Sequence, residues 1–424
     1  MLGFASASSD ADEQYRQWVA NGFPTSPEEA VGPQPKDEDN AVVAMQTAFD
    51  EFAKLRKADG FRLAVINLKE DDQSSSDIDR LNQEIETALL RPEFSIPIDW
   101  GEYFYSVSDV EDDMRDVIEL FLREAERLSL SGDYQGSIKY LNTCWKINER
   151  MSRRNPFLAS SIIFTRSNIW DIGVRILSRS KNDKFIRLKL KEMVDEDDWI
   201  PDSDKVSKSV FYMTYSYLLN VDLGSTQEIL EDMGGHYPYF ENPKQIGGKP
   251  QTLFARPVAG EYLRLVNEYW AYRQRHNDPA LRETESERLV SLYTSSRSIP
   301  SKVAAKSTQF SDAHLAWVTK KLKSDRNAMK AYLKVMEYYS IHNTWPSDLT
   351  QAGVPESDLR EEFSGKSLGY SSNPESMRVW HADYDKVDNG GLACFENINA
   401  KRGNRNSDFV LAYPGVWNSY QWHE

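Results

Sequence analysis

A chain of 424 residues is long enough for two or three domains, each with its own core. A formal net charge of -15 argues against nucleic acid and anionic lipid as partners. With 40% hydrophobic and 28% charged residues the composition is that of a globular chain, and no apolar run approaches the roughly 18 to 20 residues that span a bilayer. The start, Met1 to Ser9, has small residues but neither a basic segment nor a full apolar core. It does not read as a signal peptide, and fits a mature start left by the removal of one. The two cysteines, Cys144 and Cys394, either pair or stay free, and no Cys/His metal spacing accompanies them.

Tyr15, Trp18 and Val19 fall at helical spacing, and Asn21-Gly22 reads as a stop. At Ser26-Pro27-Glu28-Glu29, Ser26 caps a new helix, Pro27 suits its first turn and Glu29 completes a capping box. Residues 32–39, with two prolines, form a linker. Asn40 leads an amphipathic run with Val42, Met45, Phe49, Phe52 and Leu55 on one face. Ser74 to Asp77 open a helix carrying Ile78, Leu81, Ile85, Ala88 and Leu89. Ser108 is placed to cap a helix over 110–129. Ser131 to Tyr134 make a tight turn into a helix ending near Met151. This pair, with Ala125, Leu128, Gly132, Tyr134, Ile138 and Leu141, resembles one tetratricopeptide-type hairpin.

Asn155-Pro156 starts a helix over 157–177 that is apolar nearly all round, the expected central helix. Its Arg166, Asp171 and Arg175 form either a buried charged site or an exposed edge, and residue type favours the edge. The run Asp195-Glu196-Asp197-Asp198 reads as a solvated loop. Helices come next over 203–219, 226–233, 257–275 and 284–295, then a polar linker over 300–310 and a weaker helix over 312–322. The stretch 234–250, rich in Gly, Pro and aromatics, is a long irregular loop, the kind of segment that carries function. His236 within it is a candidate general base or ligand.

The tail opens with a helix over 327–341 and turns at Trp345-Pro346, where Ser347 can cap a short helix. Leu368-Gly369-Tyr370 and Met377 to Trp380 read as two strands around Asn373-Pro374, and Asp408 to Leu411 as a third. Between them lies an Asp- and Gly-rich loop from Asp383 to Gly391. Asp383, Asp385, Asp388 and Asn389, with Asp408 arriving on the last strand, are a candidate calcium site, because calcium takes several oxygen ligands on a sharply turning chain. The other reading is that these side chains cap turns.

The order Trp345-Pro346, Leu349, Phe363-Ser364-Gly365-Lys366, Leu368, Tyr370, Asp383, Asp385, Asp388, Gly390-Gly391 and Asp408-Phe409-Val410 resembles the tail of a set of uncharacterised bacterial helical proteins. It is also similar to the C-terminal region of type II secretion major pseudopilins, whose acidic Gly-rich loop binds calcium. Phe23-Pro24-Thr25 with Glu28-Glu29, and Asp39-Asn40-Ala41, resemble the front of the same helical family. Glu361-Glu362 stand where that pattern has Asp-Pro, a change expected to loosen the turn. The resemblance implies an exported protein, periplasmic or otherwise extracytoplasmic, with a signal or membrane anchor upstream.

The sequence thus predicts a mainly α protein: an N-terminal helix and linker over 1–39, a helical domain over 40–310, and a tail over 311–424 with a short antiparallel sheet. No catalytic motif of the common hydrolase, zinc-protease or nucleotide-binding kinds occurs. The reading is a non-enzymatic binding or scaffold protein with a protein or peptide partner. The alternative is a hydrolase-type enzyme with its site near His236.

Overall fold

The computed structural model describes residues 2–57, 72–96, 103–154, 159–220, 250–296, 298–307, 312–382, 388, 390–391 and 408–414. Over these residues the chain is mainly helical with one small antiparallel sheet at its C-terminal end, the class that periodicity predicts. The helices are α1 (Leu2–Ala20), α2 (Pro27–Val31), α3 (Ala41–Lys57), α4 (Asp72–Ala88), α5 (Tyr103–Ser131), α6 (Tyr134–Arg154) and α7 (Ala159–Arg179). They continue as α8 (Lys184–Glu196), α9 (Ser203–Asn220), α10 (Pro250–Arg273), α11 (Pro279–Thr294), α12 (Ile299–Ser307) and α13 (Asp312–His342). The strands are β1 (Gly369–Asn373), β2 (Ser376–Ala382) and β3 (Asp408–Tyr413). The chain forms two compact units, each assembled from separated stretches: Met1–Gln34, Pro97–Asp109 and Asp202–Ala316 in one, Pro35–Ile96, Val110–Pro201 and Trp317–Glu424 in the other.

In the first unit α1 packs along α10. The two approach so closely at Gly260 that a Cβ there would come within 2.9 Å of the Ala11 Cβ. Trp18 is fully buried, stacks on Phe23 at 4.1 Å and donates its indole N–H to the Pro24 carbonyl at 2.8 Å. The stop at Asn21-Gly22 holds: Gly22 takes a φ of 69°, and Lys208 donates to the carbonyls of Asn21 and Gly22 at 3.0 Å each. The Ser26 hydroxyl caps α2 by accepting the Glu29 N–H at 3.3 Å. The reciprocal half of the box is displaced by one residue, since Glu29 takes the N–H and hydroxyl of Thr25. Two expectations fail here. The 257–275 helix already begins at Pro250, with Pro257 inside it. The 300–310 linker is largely α12, because Val303, Ala304 and Ala305 bury against the core of this unit despite their polar neighbours.

In the second unit Asn40 fixes the entry to α3. Its amide oxygen accepts the N–H groups of Val42 at 3.1 Å and Ser95 at 3.0 Å, and its amide nitrogen donates to the Ser95 carbonyl at 2.7 Å. The predicted apolar faces of α3 and α4 are buried from Val42 to Phe52 and from Ile78 to Leu89, and the two helices pack together. Helix α5 starts at Tyr103, so Ser108 lies inside it; nothing between the two breaks a helix. Helix α7 is the central element expected, with Ile162, Ile163, Ile169, Trp170, Ile172, Val174, Ile176 and Leu177 all buried. Helices α6 and α8 and strand β3 pack on it. The helices expected over 312–322 and 327–341 are one, because no Gly or Pro separates them.

The sheet has the order β1-β2-β3, antiparallel throughout, with Gly369 opposite Trp380 and Val379 opposite Leu411. The predicted turn at Asn373-Pro374 is held by the Asn373 side chain, which accepts from Glu375 at 3.0 Å and Ser376 at 2.9 Å. After Trp345-Pro346 the chain makes turns rather than a short helix, and Asp348, not Ser347, caps them by accepting the Gln351 N–H at 2.7 Å.

Candidate functional site

The three charges of α7 are buried, against the exposed edge that their residue types favour: Arg166, Asp171 and Arg175 are 1%, 2% and 3% exposed. Asp197, expected in a solvated loop, is 4% exposed. Both arginines have partners distant in sequence. Arg166 donates to Asp197 at 2.6 Å, Asn148 at 3.0 Å and Ser152 at 3.1 Å, and its guanidinium lies 5.1 Å from the Trp145 ring centroid. Arg326 donates to the Asp197 carbonyl at 2.8 Å. Burial pushes the Asp197 carboxyl up and draws the Arg166 guanidinium down, and each ion opposes the other's shift. Arg175 pairs with Glu126 at 3.0 Å and Asp171 at 3.2 Å. These pairs tie α5, α6, α7 and the end of α8 together.

A second cluster joins α13 to the sheet. Asp325, fully buried, accepts from Ser167 at 2.6 Å and Lys321 at 3.1 Å and faces His381 Nε2 at 2.8 Å. Burial alone would raise its carboxyl. Lys321 first, then His381 and Ser167, outweigh that and hold it below the usual carboxylate range. His381 Nδ1 lies 2.6 Å from the Ala382 carbonyl. Each ring nitrogen of His381 therefore faces an oxygen atom, one of a carboxylate and one of a backbone carbonyl. The bonds run Ser–Asp–His with the carboxylate in the middle. Ser167 therefore donates to Asp325 and has no imidazole beside it among the described residues, so the cluster ties helix to strand and does not have the order of a serine nucleophile and its base.

The Phe363-Ser364-Gly365-Lys366 motif forms the tip of a hairpin. Leu368 donates to Leu359 at 2.6 Å, Arg360 bridges Ser367, and Glu361 donates to Lys366 at 3.0 Å. Glu361 does not loosen this turn. It is buried, and its two carboxylate oxygens accept from Ser364 and Ala382, each at 2.8 Å. Ser324 and Asn327 of α13 bind the Glu362 N–H and the Arg360 carbonyl, each at 3.0 Å. Beside this hairpin lies a cleft of about 620 Å³ lined by Thr350, Val354, Glu356, Leu359, Arg360 and the 365–367 backbone and side chains. Arg360 and Lys366 are exposed, and neither pairs with a carboxylate among the described residues.

Of the candidate ion ligands, Asp388 and Asp408 fall among the described residues; Asp383, Asp385 and Asn389 lie outside them. Asp388 accepts from the Trp380 indole and from Gly390, each at 2.9 Å. Asp408 is buried and accepts the Gly391 N–H at 2.7 Å. Both thus accept N–H groups beside the Gly390-Gly391 turn. The Trp380 ring lies over Gly369 and Gly391, where a Cβ would come within 2.0 and 2.9 Å of it. No group of three or more metal-ligating side chains occurs among the described residues. His236, the rest of 234–249 and Cys394 lie outside them, while Cys144 is buried with a free thiol that burial pushes up. No helix of the described residues is long and apolar enough to cross a membrane.

Sequence reasoning missed Lys321, Asp325 and His381, and gave Glu361 the opposite role. One signal was present. Val318, Leu322, Asp325, Met329, Tyr332 and Met336 share one buried helical stripe, and Asp325 interrupts it. Comparisons of the chain with family models, with curated proteins and with solved structures gave no match.

Proposed function

We propose that this protein is a non-enzymatic helical binding or scaffold protein that takes a protein or peptide partner at the cleft of its C-terminal tail. The observation that carries this reading is how the cleft is built. Its hairpin wall is fixed from behind by Glu361, Ser324 and Asn327, while Arg360, Lys366 and Ser367 stay exposed. A wall ordered before binding lowers the entropy cost of association. A volume of about 620 Å³ suits a few residues of a peptide.

Export to an extracytoplasmic compartment, with a signal or membrane anchor upstream, belongs to the same proposal and rests on the resemblance of both ends of the chain.

Selection of random peptides on the full-length protein, followed by hydrogen–deuterium exchange, tests the proposal. Enriched peptides are expected to slow exchange over 350–367. Selection that enriches nothing, or peptides that protect another region only, would overturn it.

A further inference from the structure

We infer that the cleft recognises a single peptide carboxylate flanked by an apolar side chain, an inference that rests on the binding reading above. Arg360 and Lys366 lie in one lining, exposed and without a carboxylate partner among the described residues. A guanidinium offers a carboxylate two parallel hydrogen bonds, and an ammonium beside it adds a point charge. Thr350 and Ser367 add hydroxyls at the same wall, and Val354 and Leu359 supply apolar surface for the neighbouring side chain.

Two charges restrict the ligand further. The chain as a whole carries -15, so its long-range field repels acidic peptides. Attraction must come from contact within the cleft, inside the screening length of about 8 Å at physiological salt. Glu356, in the same lining, disfavours a second acid and offers an acceptor to a peptide N–H. One acid among apolar residues therefore fits better than an acidic run.

The carboxylate is either a side chain or a chain terminus, and the chemistry is shared. Dye-labelled octapeptides with one central Glu between leucines, their Gln counterparts, and C-terminally amidated forms of both are titrated against the full-length protein by fluorescence anisotropy. The Glu or free-carboxyl peptide is expected to bind about tenfold tighter than its uncharged counterpart, as one charge-assisted contact implies. Arg360→Ser and Lys366→Ser should each remove most of that preference, and Lys205→Ser, an exposed cation elsewhere, should not. Loss with amidation identifies the terminus as the source, and loss with Gln the side chain. Equal binding of charged and uncharged peptides that still protect 350–367 from exchange overturns this inference and leaves the binding reading standing. No binding of any peptide overturns both.

Discussion

Asp325 occupies a position on α13 where the apolar stripe calls for a hydrophobic side chain, and the Lys321 ammonium, the His381 ring and the Ser167 hydroxyl make it tolerable there. Removing its charge leaves the buried Lys321 ammonium without its anion. Asp325→Asn should lower stability at neutral pH by ~3–5 kcal/mol, the usual cost of breaking a buried pair, read by urea unfolding. The pH dependence has a definite sign. The folded carboxyl lies below the ordinary value of 3.8. Its contribution is therefore complete above that pH and is lost as pH falls through the folded value. Asp325→Asn should lack this acid-side loss, and parallel stability curves for the two proteins below about pH 4 would sink the idea. Residue type alone placed Arg166 and Asp197 at the surface. Their pairing spans 31 residues, which no local window of sequence displays.

At the level of elements, the legible parts were those with a strong period and a defined breaker. The faces of α3, α4 and α7, the stop at Gly22 and the turn at Asn373 all follow from such signals. Boundaries without a breaker went unseen, as in the continuity of α13 and the start of α5. Helix α12 was missed because three small apolar residues make too faint a pattern. The Asp/Gly loop was half legible: sequence marked its carboxylates but not that Trp380 needs Asp388 as an acceptor. Asp388→Ala in the full chain should cost ~0.5–1.5 kcal/mol through that lost bond, with the same loss in calcium and in chelator. A melting temperature that rises with calcium in wild type, but not in Asp388→Ala, would instead place an ion in the loop.

For the whole molecule, what matters most is that each unit is assembled from stretches distant in the chain. The tail shares its packing with the rest of its unit. Strand β3 packs on α7, and Asp325 takes a bond from Ser167 of the same helix. A fragment of residues 312–424 would leave β3 without that cover. It should give a poorly dispersed amide spectrum and rapid proteolysis, where the full chain resists both. Sharp, dispersed sheet resonances from the fragment alone would show that the tail folds without α7. Composition and periodicity gave the helical class, but this kind of chain tracing depends on contacts between distant segments and leaves no local mark.

Glu361 has one further consequence. One of its oxygens holds Ser364 at the hairpin tip, and the other holds the N–H of Ala382, whose carbonyl in turn faces His381. In mechanical terms this is a linkage between the rim of the cleft and the buried charges. A pull on the hairpin loads the end of β2, and through it the contact of His381 with Asp325. Glu361 joins the hairpin to the sheet in this way, while Ser324 and Asn327 join the same hairpin to the helix that carries Asp325.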